Sequence, residues 1–395
     1  MQTITLKPGR DRSVRRHHPW LFDGAIKSTS GDPTGGLCVV RSETGEWLAS
    51  GIVSPAASLR ARLMRFDGQP VDETWVRARV DDALALRDRL VPEETDAYRV
   101  VNSEGDLLPG IVIDRYAGVL TVQVTTSGAE AISPWALAAV DEKLRPRSVV
   151  HRRDTPQRDQ EKLSTRSEAT GEPLPPEGIL IRERGLKFFV DPLGGQKTGF
   201  FLDQRENRHR IRELAARRSV LNVFSYSGGF GVAAVAGGAS RTVNVDSSLP
   251  ALELAKRNYD INGFLPSAGE AAFVGADAFE WLRAERAAGT LFDLVVLDPP
   301  AFVKTKGALD RGLRGYKDVN LQAMRLVAPG GILLTCSCSG LVDVDLFQKV
   351  IFGASTDAGV TFRILERRGA GPDHPVLLDC PETEYLKGLL LQRVG

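Results

Sequence analysis

Two cysteines, Cys336 and Cys338, stand two residues apart in GILLTCSCSG (331–340), and Asp298-Pro299-Pro300 closes the apolar run FDLVVL. A thiolate adds to electron-poor double bonds, and one such bond is C5–C6 of a cytosine. Addition at C6 makes the ring enamine-like, so that C5 can attack an electrophilic methyl group, lose its proton and release the thiol. That chemistry needs a cysteine beside a pocket for a base. Two prolines just beyond a strand's C-terminal end stiffen the chain where α/β sheets bind ligands. Cysteines two apart on a strand share one side, and a lone cysteine there is usually a small buried hydrophobe. It is the company of the Asp-Pro-Pro turn that turns the reading toward a nucleophile.

A second group of residues points to what would supply the carbon. VLNVFSYSGGFG (220–231) reads as a buried strand, a glycine-rich turn and the start of a helix, where backbone N–H groups can face a ligand. It is not the GxGxxG dinucleotide fingerprint. Asp246, eighteen residues after Gly228, ends the next strand, where an acid accepts hydrogen bonds from ribose hydroxyls. Asp277 ends a third strand within reach of an adenine amino group. Each of these acids could instead cap the helix that follows it. Turn and acids together indicate an adenosine-containing cofactor. A strand-terminal Asp-Pro-Pro is a hallmark of enzymes that use S-adenosylmethionine (SAM) to methylate nucleobases or amides, its acid holding the flipped base.

These groups require an α/β scaffold. The 395 residues suggest two or three domains. From about Gly199 strands and helices alternate, with strands at 220–224, 242–246, 272–275, 292–298 and 331–336 and helices at 229–237, 250–262, 278–286, 320–327 and 342–358. A hairpin with arms 360–366 and 385–393 is expected to end the chain. Before it, strands at 37–40, 46–52 and 58–66 suggest a small β-barrel. A helix over 72–91 follows, with Val76, Val80, Ala83, Leu84 and Leu90 on one stripe. Strands at 111–114, 120–125 and 148–151, a helix at 134–144 and two β runs at 178–182 and 186–190 make a central region. Its polar stretch 155–176 reads as a long loop or flap. The expected domains are 1–75, 76–190 and 191–395.

Hydrophobic residues make up 42% and charged residues 26% of the chain, enough apolar material for real cores. No stretch approaches a membrane span, and the N-terminus lacks the apolar core of a signal peptide. The four cysteines have no zinc-site or disulfide spacing, so no metal is expected and a reduced, cytoplasmic setting fits. Net charge is only +1, but Lys7, Arg10, Arg12, Arg15 and Arg16 cluster, as do Arg60, Arg62 and Arg65. Such patches neutralise phosphates or form an ordinary solvated face.

The segments GFFLDQRENR (199–208), NVFSYSGGF (222–230), DPPAFV (298–303), RGYKDVN (314–320) and TCSCSGLV (335–342) resemble the RlmI-type 23S rRNA (cytosine-C5) methyltransferases. The likeness extends over essentially the whole chain, including RRHHPWLFDGAI (15–26), SPAAS (54–58), GDLLPGIVIDR (105–115) and DHPVLLDCPETEYLKG (373–388). It implies an α/β protein: a C-terminal Rossmann-like class I methyltransferase, a small N-terminal β-barrel of the PUA type and a central α+β domain. It implies Cys338 as the nucleophile, with Cys336 a departure that fills space or assists. SAM is then expected against Phe224, Ser225, Tyr226, Gly228, Asp246, Ser247 and Asp277. Asp203, Gln204 and Arg205 would form part of the cofactor lid or base pocket, unless Asp203 simply caps a helix. Asp298 would hold N3 or the 4-amino group of the cytosine beside Pro299 and Pro300, and Lys304 or Lys317 would meet phosphates. Ala301 stands where other RNA cytosine-C5 methyltransferases carry a second cysteine.

The implied partner is 23S rRNA, naked or in an assembly intermediate, with no membrane, and dimerisation stays open. Two other readings compete. One is methylation of another base, a guanine nitrogen or uracil C5; the other is a dead methyltransferase fold serving as an RNA-binding assembly factor.

Overall fold

A computed structural model of the chain describes residues 1–32, 36–264 and 271–394. The chain divides into two compact units, one of Met1–Ile181, Val190–Leu202 and Pro372–Thr383, the other of Arg182–Phe189, Asp203–Gly371 and Glu384–Gly395.

In the first unit, β1 (Gln2–Leu6), β2 (Trp20–Phe22), β3 (Ile26–Ser30), β4 (Gly36–Arg41), β5 (Trp47–Val53) and β6 (Leu59–Arg65) form a six-stranded sheet in the order β2-β6-β5-β4-β1-β3. The sequence reading found β4 to β6 and missed the first three, which are short. β1 nonetheless alternates, burying Ile4 and Leu6 completely, and pairs in parallel with β4. Helix α1 (Glu73–Leu90) starts at Asp72, whose carboxylate accepts the N–H of Trp75 at 2.8 Å. It buries Val76, Val80 and Ala83 as expected, but Leu90 is exposed and Arg87 is buried in its place. The Arg87 guanidinium is forked onto Asp106 at 2.6 and 2.7 Å, which offsets the cost of burying it.

A second sheet follows in the same unit, in the order β11-β10-β9-β8-β7. Its members are β7 (Ala97–Asn102), β8 (Ile111–Tyr116), β9 (Val119–Val124), β10 (Ser148–His151) and β11 (Glu168–Gly171), and α2 (Ser127–Leu144) connects β9 to β10. Helix α2 begins seven residues before Pro134, the position expected to start it. Proline lacks the N–H that would bond the Glu130 carbonyl, and the Ser133 hydroxyl bonds that carbonyl instead at 3.2 Å. The stretch 155–176, expected as loop, contains α3 (Pro156–Gln160) and the edge strand β11, antiparallel to β10. Buried Arg158 anchors it, donating to the Val124 carbonyl and to Glu130. The expected boundary at 75 thus separates two sheets of one compact unit.

A two-stranded ribbon, β12 (Ile179–Glu183) and β13 (Leu186–Val190), leads on. The second unit then runs α4 (Arg205–Leu214), β14 (Ser219–Val223), α5 (Gly229–Ala236), β15 (Arg241–Asp246), α6 (Leu249–Asp260) and β16 (Ala271–Gly275). It continues with α7 (Ala278–Ala288), β17 (Phe292–Leu297), α8 (Leu309–Leu326), β18 (Val327–Ser337), α9 (Val344–Ala358), β19 (Thr361–Arg368) and β20 (Lys387–Val394). Seven strands lie in the order β16-β15-β14-β17-β18-β20-β19, parallel from β14 to β18. The expected closing hairpin is present, antiparallel at the sheet edge. Strand order reverses between β14 and β17, and the crevice beyond the carboxyl ends of strands at such a point is where α/β sheets take ligands. Side chains alternate by the period of two: Leu221, Val223, Val295 and Leu297 pack on one face, and Val220, Leu294, Val296, Leu334 and Cys336 on the other. Helix α8 starts eleven residues earlier than expected, because Gly312 and Gly315 hid its periodicity. A Cβ on Gly312 would lie 2.8 Å from the Phe302 carbonyl oxygen, so the glycine admits the turn after Pro300.

Candidate active site

Beyond β14 the backbone enters the left-handed region three times within five residues, at Phe224 (φ 60°), Tyr226 (φ 46°) and Gly228 (φ 75°). Only the glycine adopts it without cost, so two strained non-glycine residues are held at this turn. Asp246 helps to hold them. Its Oδ2 accepts the N–H of Tyr226 at 2.8 Å and its Oδ1 that of Ser248 at 2.9 Å. Asp246 is therefore not a helix cap; Ser248 caps α6, accepting the N–H of Ala251 at 3.3 Å. Asp277 does cap α7, its Oδ1 accepting from Phe279 and Glu280 at 2.9 and 3.1 Å, while Oδ2 makes neither bond. Ser225 is 6% exposed, and its Oγ has no hydrogen-bond partner among the described residues. Ser247 is exposed at the end of β15. A buried unsatisfied hydroxyl on a strained turn, next to a carboxylate with unused lone pairs, fits a polar ligand carrying hydroxyls and an amine. SAM is such a ligand.

At the end of β17, Asp298 is half-buried, Pro299 buried and Pro300 exposed. Cys338 lies just past the end of β18, partly exposed, with Sγ 4.0 Å from the Pro299 carbonyl oxygen. Cys336 shares its face, as the spacing predicts, but is wholly buried. Burial, with Asp298 nearby, drives the Cys336 thiol well above its ordinary pKa, the state of a space-filling side chain. Ser339 bolts the two loops together: its Oγ accepts the N–H of Val303 at 3.1 Å and sits 2.8 Å from the Tyr316 hydroxyl. Its carbonyl accepts from the Lys387 ammonium at 2.7 Å. Lys387 is 3% exposed, and burial depresses its pKa to about 8. Phe302, behind the prolines, packs against Phe224, Phe279 and Tyr316 and so ties the Asp298 turn to the Asp246 turn.

Asp203, Gln204 and Arg205, expected at a cofactor lid or base pocket, are no more than 2% exposed. Asp203 is not a cap: it accepts from the Tyr385 hydroxyl at 2.7 Å, and α4 begins after Gln204. The Gln204 side-chain oxygen accepts from the Asn207 amide at 2.5 Å. Lys304 is exposed with no ion pair among the described residues, whereas the Lys317 ammonium is paired with Asp357 at 2.7 Å. Sequence reasoning passed over Ser339, Tyr316, Phe302 and Lys387, although each lies in a segment singled out for a neighbour. A lysine heading the apolar strand LKGLLL was the readable sign.

In the first unit, Arg10, Arg12 and Arg16 line a cleft of about 540 Å³ with Ser13, His18 and Asp379. These arginines form no ion pair among the described residues. Others expected to join them are committed: Arg15 to Asp11 and Glu46, Arg65 to Asp67, Arg62 to Glu104. His18, Cys380 and Glu382 lie within ligand-sharing distance of one another. Trp20 N–H donates to His18 Nδ1 at 3.2 Å, which leaves the ring proton on Nε2, facing Glu382 rather than open to a metal.

Residues 4–66 match a family of PUA-like domains, and residues 128–392 match the family described as S-adenosylmethionine-dependent methyltransferase. Ribosomal RNA large subunit methyltransferase I of Vibrio cholerae is 43% identical over 98% of both chains, and that of Vibrio vulnificus 42% over the same shares. A SAM-dependent methyltransferase structure from Streptococcus mutans has a TM-score of 0.84 at 22% identity, covering 99% of this chain and 100% of its own. Another methyltransferase, complexed with SAH, has a TM-score of 0.85 at 21% identity with the same coverage. No helix among the described residues is long and apolar enough to cross a membrane. The chain belongs to the S-adenosylmethionine-dependent methyltransferases, in the family of the ribosomal RNA large subunit methyltransferase I proteins.

Proposed function

We propose that the protein methylates C5 of a cytosine in large-subunit (23S) rRNA, with Cys338 as nucleophile and Asp298 on the Watson–Crick edge of the base. One observation carries this reading: Cys338 Sγ is 4.0 Å from the carbonyl of Pro299, inside the Asp-Pro-Pro turn. A purine-nitrogen methyltransferase has no use for a thiol there. The Cys338 thiolate bonds to C6 and the C5–C6 electron pair is left on C5. SAM, when bound, supplies an electrophilic methyl group to a nucleophilic carbon. Loss of the C5 proton restores the double bond, and the C6–S bond breaks to return the thiolate. Asp298, hydrogen-bonded to the 4-amino group, selects cytosine over uracil, while buried Pro299 and exposed Pro300 shape the pocket.

Phe224, Ser225, Tyr226, Gly228, Asp246, Ser247 and Asp277 would hold the cofactor, with Ser225 Oγ and the lone pairs of Asp246 meeting hydroxyls. Asp203, Gln204 and Arg205 would wall the base pocket. Lys304 is available to a phosphate, and Lys317 only if it leaves Asp357. Arg10, Arg12 and Arg16 supply unneutralised charge for the RNA backbone. An rRNA substrate places the work in the cytoplasm. The test is incubation with methyl-labelled SAM and unmodified ribosomal RNA, then mapping of the labelled nucleotide. The expected product is 5-methylcytidine in 23S rRNA, with none from Cys338→Ala. Full turnover by that variant, or label on a purine, would sink the reading.

A further inference from the structure

We infer that Lys387 is a positioning residue for Cys338, its buried ammonium fixing the Cys338–Ser339 turn and holding the Cys338 sulfur as a thiolate. The inference rests on the reading of Cys338 as the nucleophile. Lys387 opens β20 opposite Ser337 of β18, which brings its side chain to the end of the strand that Cys338 follows. Nζ donates to the carbonyls of Ser339 at 2.7 Å and Tyr385 at 2.8 Å. An ammonium has three N–H donors, and these two bonds use two of them.

Both partners are neutral, so they satisfy hydrogen bonds without cancelling the charge. A buried ammonium is costly unless an anion lies near it. The groups that favour its charge are Cys338, Glu384 and Asp343, and Cys338 adjoins the residue that the ammonium grips. From the cysteine's side the need is reciprocal. Asp298 from β17, which interacts with Cys336, and the Pro299 carbonyl at 4.0 Å present negative ends to this corner. Tyr316 from α8 is held neutral by burial, and a charge on Cys338 would act in the same direction. Cys336 on β18 is neutral too. Of these neighbours Lys387 carries the positive charge, and a cation close by is what favours a thiolate. The same ammonium clamps the peptide next to the reacting sulfur, so charge and orientation come from one group.

The experiment follows the rate of iodoacetamide alkylation of Cys338 against pH in the full chain, with the modified peptide identified by mass spectrometry. Cys38, Cys336 and Cys380 are buried, so Cys338 is the thiol expected to react. The wild-type midpoint should lie below the ordinary thiol value of about 8.5. Lys387→Met should raise it by about one unit or more, and Lys387→Arg, which keeps the charge, should stay near wild type. A wild-type midpoint at or above the ordinary value overturns the inference, and so does a folded Lys387→Met with an unmoved midpoint. If Lys387→Met does not fold, the wild-type and Lys387→Arg midpoints decide by the same criteria. Neither RNA nor SAM is needed, so a failure to methylate cytosine would remove the proposed function while leaving this titration readable.

Discussion

The Tyr316 hydroxyl lies 2.8 Å from Oγ of Ser339, and that oxygen also receives the backbone N–H of Val303 at 3.1 Å. Helix α8, the loop after the Asp-Pro-Pro turn and the loop carrying Cys338 therefore meet at one buried oxygen. Tyr316→Phe keeps the ring packed against Phe302 and removes the hydroxyl alone. The loss should cost about 1 kcal/mol of stability, the usual net worth of a buried hydrogen bond. Turnover should fall by roughly tenfold through looser placement of the sulfur, with SAM affinity unchanged. A variant of reduced stability and unreduced kcat would show that Val303 and Lys387 orient Ser339 without the hydroxyl.

Asp246 organises the cofactor turn by accepting from Tyr226 and Ser248 with different oxygens. In Asp246→Asn one of those acceptors becomes an NH2 group that confronts a backbone N–H, and the charge that strengthens bonds to hydroxyls disappears. SAM affinity measured by calorimetry should drop by about 10- to 100-fold, the equivalent of one lost charged hydrogen bond. Asp277→Asn keeps an acceptor oxygen for the α7 cap and should cost less. Equal losses in the two variants would contradict the assignment of Asp246 to the ribose.

The parts of the fold visible in the sequence were those governed by apolar periodicity. Strands β14, β15, β17 and β18, and the order of motifs at their ends, could be read because a parallel sheet buried on both faces makes runs rich in Val and Leu, interrupted here by few polar residues such as buried Asn222 and Asn244. Elements held by polar groups could not. Segment 155–176 looks loop-like in composition, yet buried Arg158 fixes it, and α2 runs through Pro134 because Ser133 replaces the missing donor. At the candidate site, the residues proposed for their side-chain type at a strand end, Asp246, Asp298 and Cys338, are the ones that spacing singles out. Ser339 and Lys387 act through partners distant in sequence, Ser339 with Tyr316 and both with each other, and no spacing rule exposes such pairs.

In the N-terminal cleft the arginines differ in what already neutralises them. Arg10, Arg12 and Arg16 line the open space, while Arg65 is forked onto Asp67. Replacing the three cleft arginines by alanine should weaken RNA binding and flatten its dependence on salt by about two to three counterions. Arg65→Ala should leave both nearly unchanged, since its charge is already paired. Filter binding across a salt series reads this, and equal effects of the two changes would show that the pairing with Asp67 does not withhold Arg65 from the RNA.

Pro134 is exposed in the interior of α2, where it forfeits one helical hydrogen bond. Pro134→Ala restores an N–H for the Glu130 carbonyl, now served by Ser133. An interior proline costs about 3 kcal/mol against alanine, and up to about 1 kcal/mol is returned because alanine leaves the unfolded chain freer. The variant should gain about 2 kcal/mol, seen as a thermal midpoint raised by a few degrees. A lowered midpoint would mean that the ring packs usefully where it stands.

Lys387 gives the protein a stability signature at alkaline pH. Its pKa is about 8 in the folded chain against 10.5 for a free lysine. Between those values the unfolded chain keeps a proton that the folded chain has released, so rising pH favours the folded state. Below 8 both states carry the Lys387 proton and its own contribution vanishes, leaving the rise of the same sign that a depressed Cys338 thiol adds up to about 8.5. Above 10.5 the dependence levels off. Lys387→Met has no such group. Wild-type stability measured relative to that variant should therefore climb from pH 8 toward 10.5, by at most about 1.4 kcal/mol per unit. Urea unfolding midpoints of both proteins across that window test it. A difference that stays flat would mean the buried ammonium keeps its proton, which would require a stronger anionic partner than the half-buried Cys338 sulfur and the carboxylates of Glu384 and Asp343.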